Sequence, residues 1–301
     1  MYDVIIIGGG VTGFAAALYS GRFKLKTLVL TGELKGGLIT WAKDVQNYPG
    51  FENVSGIELA KKIEDHARRY DVDVKLEIVQ ELNKQGSIFT VKTAEGVYES
   101  KTVIFATGTK VRTLKAPGED KLKNKGVHYC ALCDAFAYNG KTVAVIGGSD
   151  SAVIESLILK DVAKKVYIIY RKDKLRAEPI NVEKVNKLDN VEVITNTNVL
   201  EFIGEEKLEK VKLDNPYKGD EFLKLDGVFV AIGHEPQSEL VKPLGVKLDE
   251  KGYVEVDKDS KTNVEGLFAA GDVTNRKFKQ AITGVAEGVT AAYWAFNYIQ
   301  K

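Results

Sequence analysis

At 301 residues the chain is too long for one ordinary core and suits two domains of usual size. Hydrophobic residues make up 44% and charged residues 28%, the balance of a folded chain rather than a disordered one. Lys and Arg number 43 against 42 Asp and Glu, so a net charge of +1 leaves no cationic excess for nucleic acid, and no stretch approaches the ~20 apolar residues of a membrane-spanning helix.

The N-terminal run Val4-Ile5-Ile6-Ile7 reads as a buried parallel strand. It is too short, and lacks the basic start, for a secretory signal, so no targeting segment and a cytoplasmic location are expected. Gly8-x-Gly10-x-x-Gly13 follows and opens an Ala-rich helical stretch. Such glycines permit a tight strand-to-helix turn and let a pyrophosphate approach the backbone at the helix N-terminus. A second strand at residues 27–30 completes a βαβ unit. Glu33 lies about 20 residues beyond Gly13, where an acid can accept from a ribose hydroxyl; a solvated turn acid after Thr31-Gly32 fits equally.

Alternating strands lead to residues 102–110, and a loop with Pro117 and Gly118 precedes the two cysteines, Cys130 and Cys133. A structural staple normally joins distant segments, whereas this pair could close only a tiny loop, so the C-x-x-C reads as redox-active. Asp134 follows directly. A dithiol gains and loses protons each turnover, which makes the adjacent carboxyl an acid/base candidate, although the residue type also suits a helix start. Zinc would need about four ligands, and His66, His128 and His234 are isolated from one another, so no metal is expected. His128, two residues before Cys130, is expected to pack or face solvent rather than act on the thiol.

Residues 141–160 repeat the opening pattern, with Gly147-x-Ser149-x-x-Ala152 at the turn. Ser149 narrows the approach to a phosphate yet brings a hydroxyl donor. The next strand ends in Tyr170 and continues Arg171-Lys172-Asp173-Lys174-Leu175-Arg176. A free ribose 2′-hydroxyl calls for an acceptor there and a 2′-phosphate for cations, so the cluster favours NADP(H); its other reading is a solvated basic turn. Two nucleotide units beside a dithiol imply a flavin as adaptor between nicotinamide and disulfide. The expected architecture is α/β, with two Rossmann-like dinucleotide-binding domains, the second inserted into the first. Residues 1–112 and 239–301 form the FAD-binding domain, and residues 113–238 the NAD(P)H-binding domain carrying the redox pair.

The motifs GGGVTGFAAALY, LTGELKGGLIT, NYPGF, ATGTK, CALCDAF, VAVIGGSDSA, RKDKLRAE, FVAIGH, FAAGDV and KQAITGVAEG stand in this order. Over essentially its whole length the chain resembles the low-molecular-weight thioredoxin reductases of the pyridine nucleotide–disulfide oxidoreductase superfamily. The resemblance implies that Gly8, Gly10 and Gly13 bind the FAD pyrophosphate, with Thr31 and Gly32 near the adenosine. Asn47 and Gly108 belong to flavin-contacting segments, Asp272 binds the ribitol, and Lys279, Gln280 and Ala281 lie beside the isoalloxazine. It implies that Cys133 faces the flavin, Cys130 attacks the partner, and Asp134 is the acid/base. NADPH would be held by Gly147, Gly148, Ser149, Arg171, Lys172 and Arg176. A homodimer is implied, with thioredoxin or a thioredoxin-like or glutaredoxin-like protein as partner. Ser149, Tyr170, Lys172, Leu38 and Lys279 depart from the family pattern, which keeps NADH beside NADPH as a donor.

Overall fold

In the computed structural model, which describes residues 1–32 and 34–301, the N-terminal apolar run forms strand β1 (Tyr2–Ile7). The Ala-rich stretch forms helix α1 (Val11–Arg22), and β2 (Thr27–Thr31) returns parallel to β1 with Ile5 opposite Leu28. Val4 to Ile7 and all of β2 are buried, the burial of a strand covered on both faces, which explains why these runs do not alternate. Helix α2 (Gly56–Ala67) starts at Ser55, whose side chain accepts from Glu58 N at 3.2 Å, a Ser-x-x-Glu start readable in the sequence. Strand β3 (Val72–Leu76) extends the parallel sheet, and β4 (Val79–Gln85), β5 (Ile88–Thr93) and β6 (Val97–Phe105) add an antiparallel meander. The sheet order is β3-β2-β1-β6-β5-β4.

The chain leaves this unit through β7 (Thr109–Val111) and enters a second unit, residues 111–234. There, α3 (Glu119–Leu122), β8 (Val127–His128) and α4 (Ala131–Asp134) precede a second βαβ pattern. That pattern is β9 (Thr142–Ile146), α5 (Asp150–Leu159) and β10 (Lys165–Ile169), followed by α6 (Pro179–Asn186) and β11 (Val191–Ile194). A three-stranded antiparallel sheet of β12 (Val199–Ile203), β13 (Lys210–Tyr217) and β14 (Asp220–Lys224) intervenes before β15 (Gly227–Val230). The five-stranded sheet β11-β10-β9-β15-β8 is parallel throughout, and its central strands are closed to water on both faces.

The chain returns through β16 (His234–Pro236), and residues 235–301 complete the first unit with residues 1–110. Strand β17 (Leu267–Ala269) pairs with the C-terminal half of β6, whose N-terminal half holds β5; the nine-residue length of β6 makes room for both. Helix α7 (Ala281–Ile299) then packs on α1. Small residues bring the two helices close: Ala15, Ala16 and Ala17 on one, Gly284, Gly288, Ala291 and Ala295 on the other, all buried. A Cβ at Gly288 would stand 2.3 Å from Thr12 O, so alanine there would push the helices apart. Among the described residues no helix is long and apolar enough to cross a membrane.

Candidate active site

The first glycine loop is held by contacts that leave no room for side chains. Gly8 has φ +119°, and a Cβ on it would lie 2.2 Å from Ala106 O. One at Gly9 would lie 2.4 Å from Thr31 Cβ, and one at Gly13 only 1.9 Å from Gly8 O. Gly13 is therefore the close-packing glycine between helix and strand that the spacing calls for. Gly10 is the N-cap of α1, with no side-chain cap among the described residues and no acid in the first turn. The amides of that turn are left for an anion.

A cavity of about 540 Å³ opens in the same unit, lined by Ile7, Gly8, Leu30, Gly32, Thr107 and Gln237 among others. Its size lies in the range of ligand sites. Thr31 does not line it. This side chain is buried, packs on Gly9 and donates to Gly32 O at 3.2 Å, so it shapes the loop from behind. Gly108, at φ +65°, accepts from Gln237 N at 3.1 Å. Glu33, the candidate ribose acceptor, lies outside the described residues.

The segments expected around a flavin meet in this unit. Asn47 Nδ2 donates to Gln280 Oε1 at 3.2 Å, although the two are far apart in sequence. Gln280 also caps α7: its side chain accepts from the Thr283 amide while Thr283 Oγ1 accepts from Gln280 N at 3.1 Å. Ala281 is the first residue of α7. Asp272 follows Gly271, whose N–H donates to Glu287 Oε2 at 2.8 Å and which sits close against Thr12 of α1. Lys279 turns its ammonium onto this same segment, donating to Asp272 O at 2.9 Å and Thr274 O at 2.6 Å, 4.2 Å from the centre of the Tyr253 ring. Burial pushes the Lys279 ammonium below its usual value, opposed by the charges of Asp272, Glu287 and Asp249. The lysine thus braces the turn that presents Asp272.

The second glycine loop repeats the first, contact by contact. Gly147 has φ +144° and faces Ala231 O as Gly8 faces Ala106 O; a Cβ would come within 2.2 Å in both cases. Gly148 packs on Tyr170 as Gly9 packs on Thr31, and a Cβ would lie 2.4 Å from the tyrosine ring. Ser149 occupies the N-cap of α5 but makes no side-chain capping bond among the described residues. The basic segment folds back onto this loop: Arg176 N donates to Gly148 O at 2.6 Å and Glu178 N to Asp150 Oδ1 at 2.6 Å. Arg171 and Lys172 are exposed at the strand end. Arg176 differs, because its Nε donates to Tyr170 Oη at 3.0 Å.

Cys130 and Cys133 form a disulfide at the start of α4, with Cα atoms 5.4 Å apart. Cys130 is buried, Cys133 is exposed, and Cys133 N donates to Cys130 Sγ at 3.2 Å. Asp134 ends α4 and is also the N-cap of the 3-10 turn Ala135–Tyr138, which fits the helix-start reading, although its side chain makes no capping bond among the described residues; its carboxylate Oδ2 lies 3.1 Å from His128 Nδ1. His128 is buried rather than solvated and touches three side chains that sequence reading did not connect: Asp134, Tyr138 and Phe229. Among the described residues no three His, Cys, Asp or Glu side chains cluster so as to hold a metal ion.

Sequence reading also passed over Glu155. It lies on α5 between buried Ala152, Ser156 and Leu159, and its Oε2 is enclosed without a hydrogen-bond partner among the described residues. Burial pushes its carboxyl up to about 8. A lone acid inside the apolar run AVIESLIL was the available signal.

A family model described as pyridine nucleotide-disulphide oxidoreductase matches residues 2–288. A thioredoxin reductase of Mycolicibacterium smegmatis is 39% identical, covering 100% of this chain and 97% of its own. Among solved structures, Lactococcus lactis thioredoxin reductase superposes with a TM-score of 0.96 at 34% identity, covering 100% of this chain and 99% of its own. T. acidophilum thioredoxin reductase does so with 0.93 at 36% identity, covering 98% of each chain. With two glycine-loop folds, a disulfide beside the second, and a family match over nearly its whole length, the chain belongs to the pyridine nucleotide-disulphide oxidoreductase family.

Proposed function

We propose that this chain is a thioredoxin reductase that takes electrons from NADPH and, with bound FAD, delivers them through Cys130 and Cys133 to the disulfide of a thioredoxin-like protein. The observation that carries this reading is the Cys130–Cys133 disulfide, placed in the second unit shortly before its glycine loop. The names of the relatives support it.

The first unit fits a dinucleotide: Gly8 and Gly13 allow a strand-to-helix turn so tight that a Cβ on either would strike backbone, and the first-turn amides of α1 are not consumed by a side-chain cap. In this reading Gly8, Gly10, Gly13, Gly32 and Gly108 hold the pyrophosphate and adenosine end of FAD. Asp272, braced by Lys279, binds the ribitol, and Asn47, Gln280 and Ala281 border the flavin ring. Bound there, FAD supplies two-electron transfer between a nicotinamide and a disulfide. Gly147, Gly148 and Ser149 take the pyrophosphate of the nicotinamide nucleotide, and Arg171 and Lys172 its 2′-phosphate.

The chain's own chemistry is thiol–disulfide exchange. Two electrons and two protons convert the Cys130–Cys133 disulfide to a dithiol, and Asp134 moves the protons. The Cys130 thiolate attacks the partner disulfide and forms a mixed disulfide; Cys133 then attacks Cys130, restores the internal bond and releases the reduced partner. The active assembly is a homodimer and works in the cytoplasm. One observation favours a weaker preference for NADPH over NADH: Arg176 Nε is committed to Tyr170, which leaves the 2′-phosphate to Arg171 and Lys172.

Cys130→Ser and Cys133→Ser test the reading. Each should abolish reduction of thioredoxin while flavin bleaching by NADPH persists, because an exchange needs both an attacking and a resolving thiol. Substantial thioredoxin turnover in either variant would mean that the electrons leave by another route.

A further inference from the structure

We propose that His128 is a positioning residue for Asp134, sharing with it the proton that disulfide–dithiol cycling at Cys130 and Cys133 takes up and gives back; this rests on the acid/base reading of Asp134. The imidazole is held on three sides. Its ring stacks on Phe229 with centroids 5.4 Å apart and an interplanar angle of 28°, and meets the Tyr138 ring edge-on at 75°. Its Nε2 lies 2.6 Å from Tyr138 Oη. Its Nδ1 lies 3.1 Å from Asp134 Oδ2, close in distance but not aligned as a hydrogen bond.

This arrangement fixes the direction in which a proton can travel. Burial, reinforced by the charges of Asp134 and Asp226, keeps the Tyr138 phenol protonated to about 12. The phenol therefore always has a hydrogen to give to Nε2, and an imidazole that accepts there carries its own hydrogen on Nδ1, towards Asp134. Asp134 is the more exposed member of the relay. Its side chain is 37% exposed, against 8% for His128, so of the two it is the one open to water. The groups facing this relay are few. Asp134 comes from α4 and Tyr138 from the turn that follows; Phe229 of β15 brings no charge. Beyond the phenol lie Asp226 and Lys141, the latter with its ammonium 5.4 Å from the Tyr138 ring centre.

The proton balance gives His128 its task. Opening the S–S bond with two electrons requires two protons, one for each new S–H, and the exchange that follows returns them as the thiols are re-oxidised. The reductase activity supplies the electrons. The Asp134 carboxylate and the His128 imidazole, 3.1 Å apart, offer two neighbouring sites for such a proton.

The test uses the full-length, flavin-loaded protein and three variants, His128→Gln, Tyr138→Phe and Asp134→Asn. Thioredoxin reduction by NADPH is measured from about pH 5 to about pH 9, with flavin reduction by NADPH measured separately. His128→Gln should lower thioredoxin turnover about tenfold and displace one limb of its pH profile, with flavin reduction unchanged. Tyr138→Phe keeps the ring and loses only the hydroxyl, and should displace the same limb by a smaller amount. If both keep the wild-type profile while Asp134→Asn loses turnover, His128 is only a packed ring and the proposal fails, with the Asp134 reading intact. A uniform loss across all pH values in His128→Gln, with Tyr138→Phe unchanged, overturns it as well. Full turnover in Asp134→Asn would remove both the proposal and the reading beneath it.

Discussion

Replacing Glu155 with Gln should stabilise the second unit at alkaline pH and leave it nearly unchanged in acid. Desolvation is the sole cause of the rise in this carboxyl, from the ordinary 4.5 up to about 8, and Oε2 has no hydrogen-bond partner among the described residues. The folded chain therefore keeps the proton over a range in which the unfolded chain releases it. Unfolding releases a proton in that range, so stability falls as pH rises from about 4.5 to about 8 and is constant beyond. At about 1.4 kcal/mol per unit, the full shift sets an upper bound of about 5 kcal/mol. The residue as a whole keeps some contact with water, which lowers the expected cost to roughly 2–3 kcal/mol. Glutamine has nearly the same shape and no charge to desolvate. Followed by circular dichroism or calorimetry on the flavin-loaded protein, its melting should lie roughly 5–10 °C above wild type near pH 9 and converge with it near pH 5. The same difference at both pH values would refute the reasoning, because a change that ignores pH cannot come from ionisation.

Gly13→Ala should cost flavin retention and stability together, by roughly 1–3 kcal/mol or more, because its Cβ would meet a backbone oxygen at 1.9 Å; Gly96→Ala, away from the glycine loop and with nothing nearer its Cβ than the Tyr98 hydroxyl at 3.5 Å, is the control. Flavin per chain after gel filtration reads the difference, and equal retention in both would deny that the loop is packed as described. Arg171→Ala should reduce kcat/KM for NADPH about tenfold more than for NADH, while Arg176→Ala should affect both alike, since its Nε holds Tyr170 against the glycine loop. Selective loss with NADPH in Arg176→Ala would return that residue to the phosphate.

Much of this arrangement was legible because it follows from short-range rules. The two glycine loops could be read from spacing alone, since Gly8, Gly13 and Gly147 occupy positions where a Cβ would strike the backbone or lie almost on it. The buried parallel strands announced themselves as uninterrupted β-branched runs. What the sequence concealed depends on which side chains meet in space. Nothing in the sequence around Lys279 tells that its ammonium donates to the carbonyls of Asp272 and Thr274. Arg176 stands in the basic run as an equal of Arg171, and only the fold ties it to Tyr170. His128 looked isolated because Phe229, its stacking partner, arrives on β15 from far along the chain, in register beside it. Glu155 carried a signal that spacing could have found, a single acid on the buried side of an apolar helix.

The most direct test of the account is anaerobic stopped-flow spectroscopy of the purified protein. NADPH and NADH are mixed with it in turn, the bleaching of the flavin is timed, and oxidised thioredoxin is then added. The account predicts yellow protein with about one FAD per chain, bleached faster by NADPH than by NADH, and recolouring on addition of thioredoxin. Protein that neither nucleotide bleaches, or that bleaches and is not re-oxidised by thioredoxin, would contradict it.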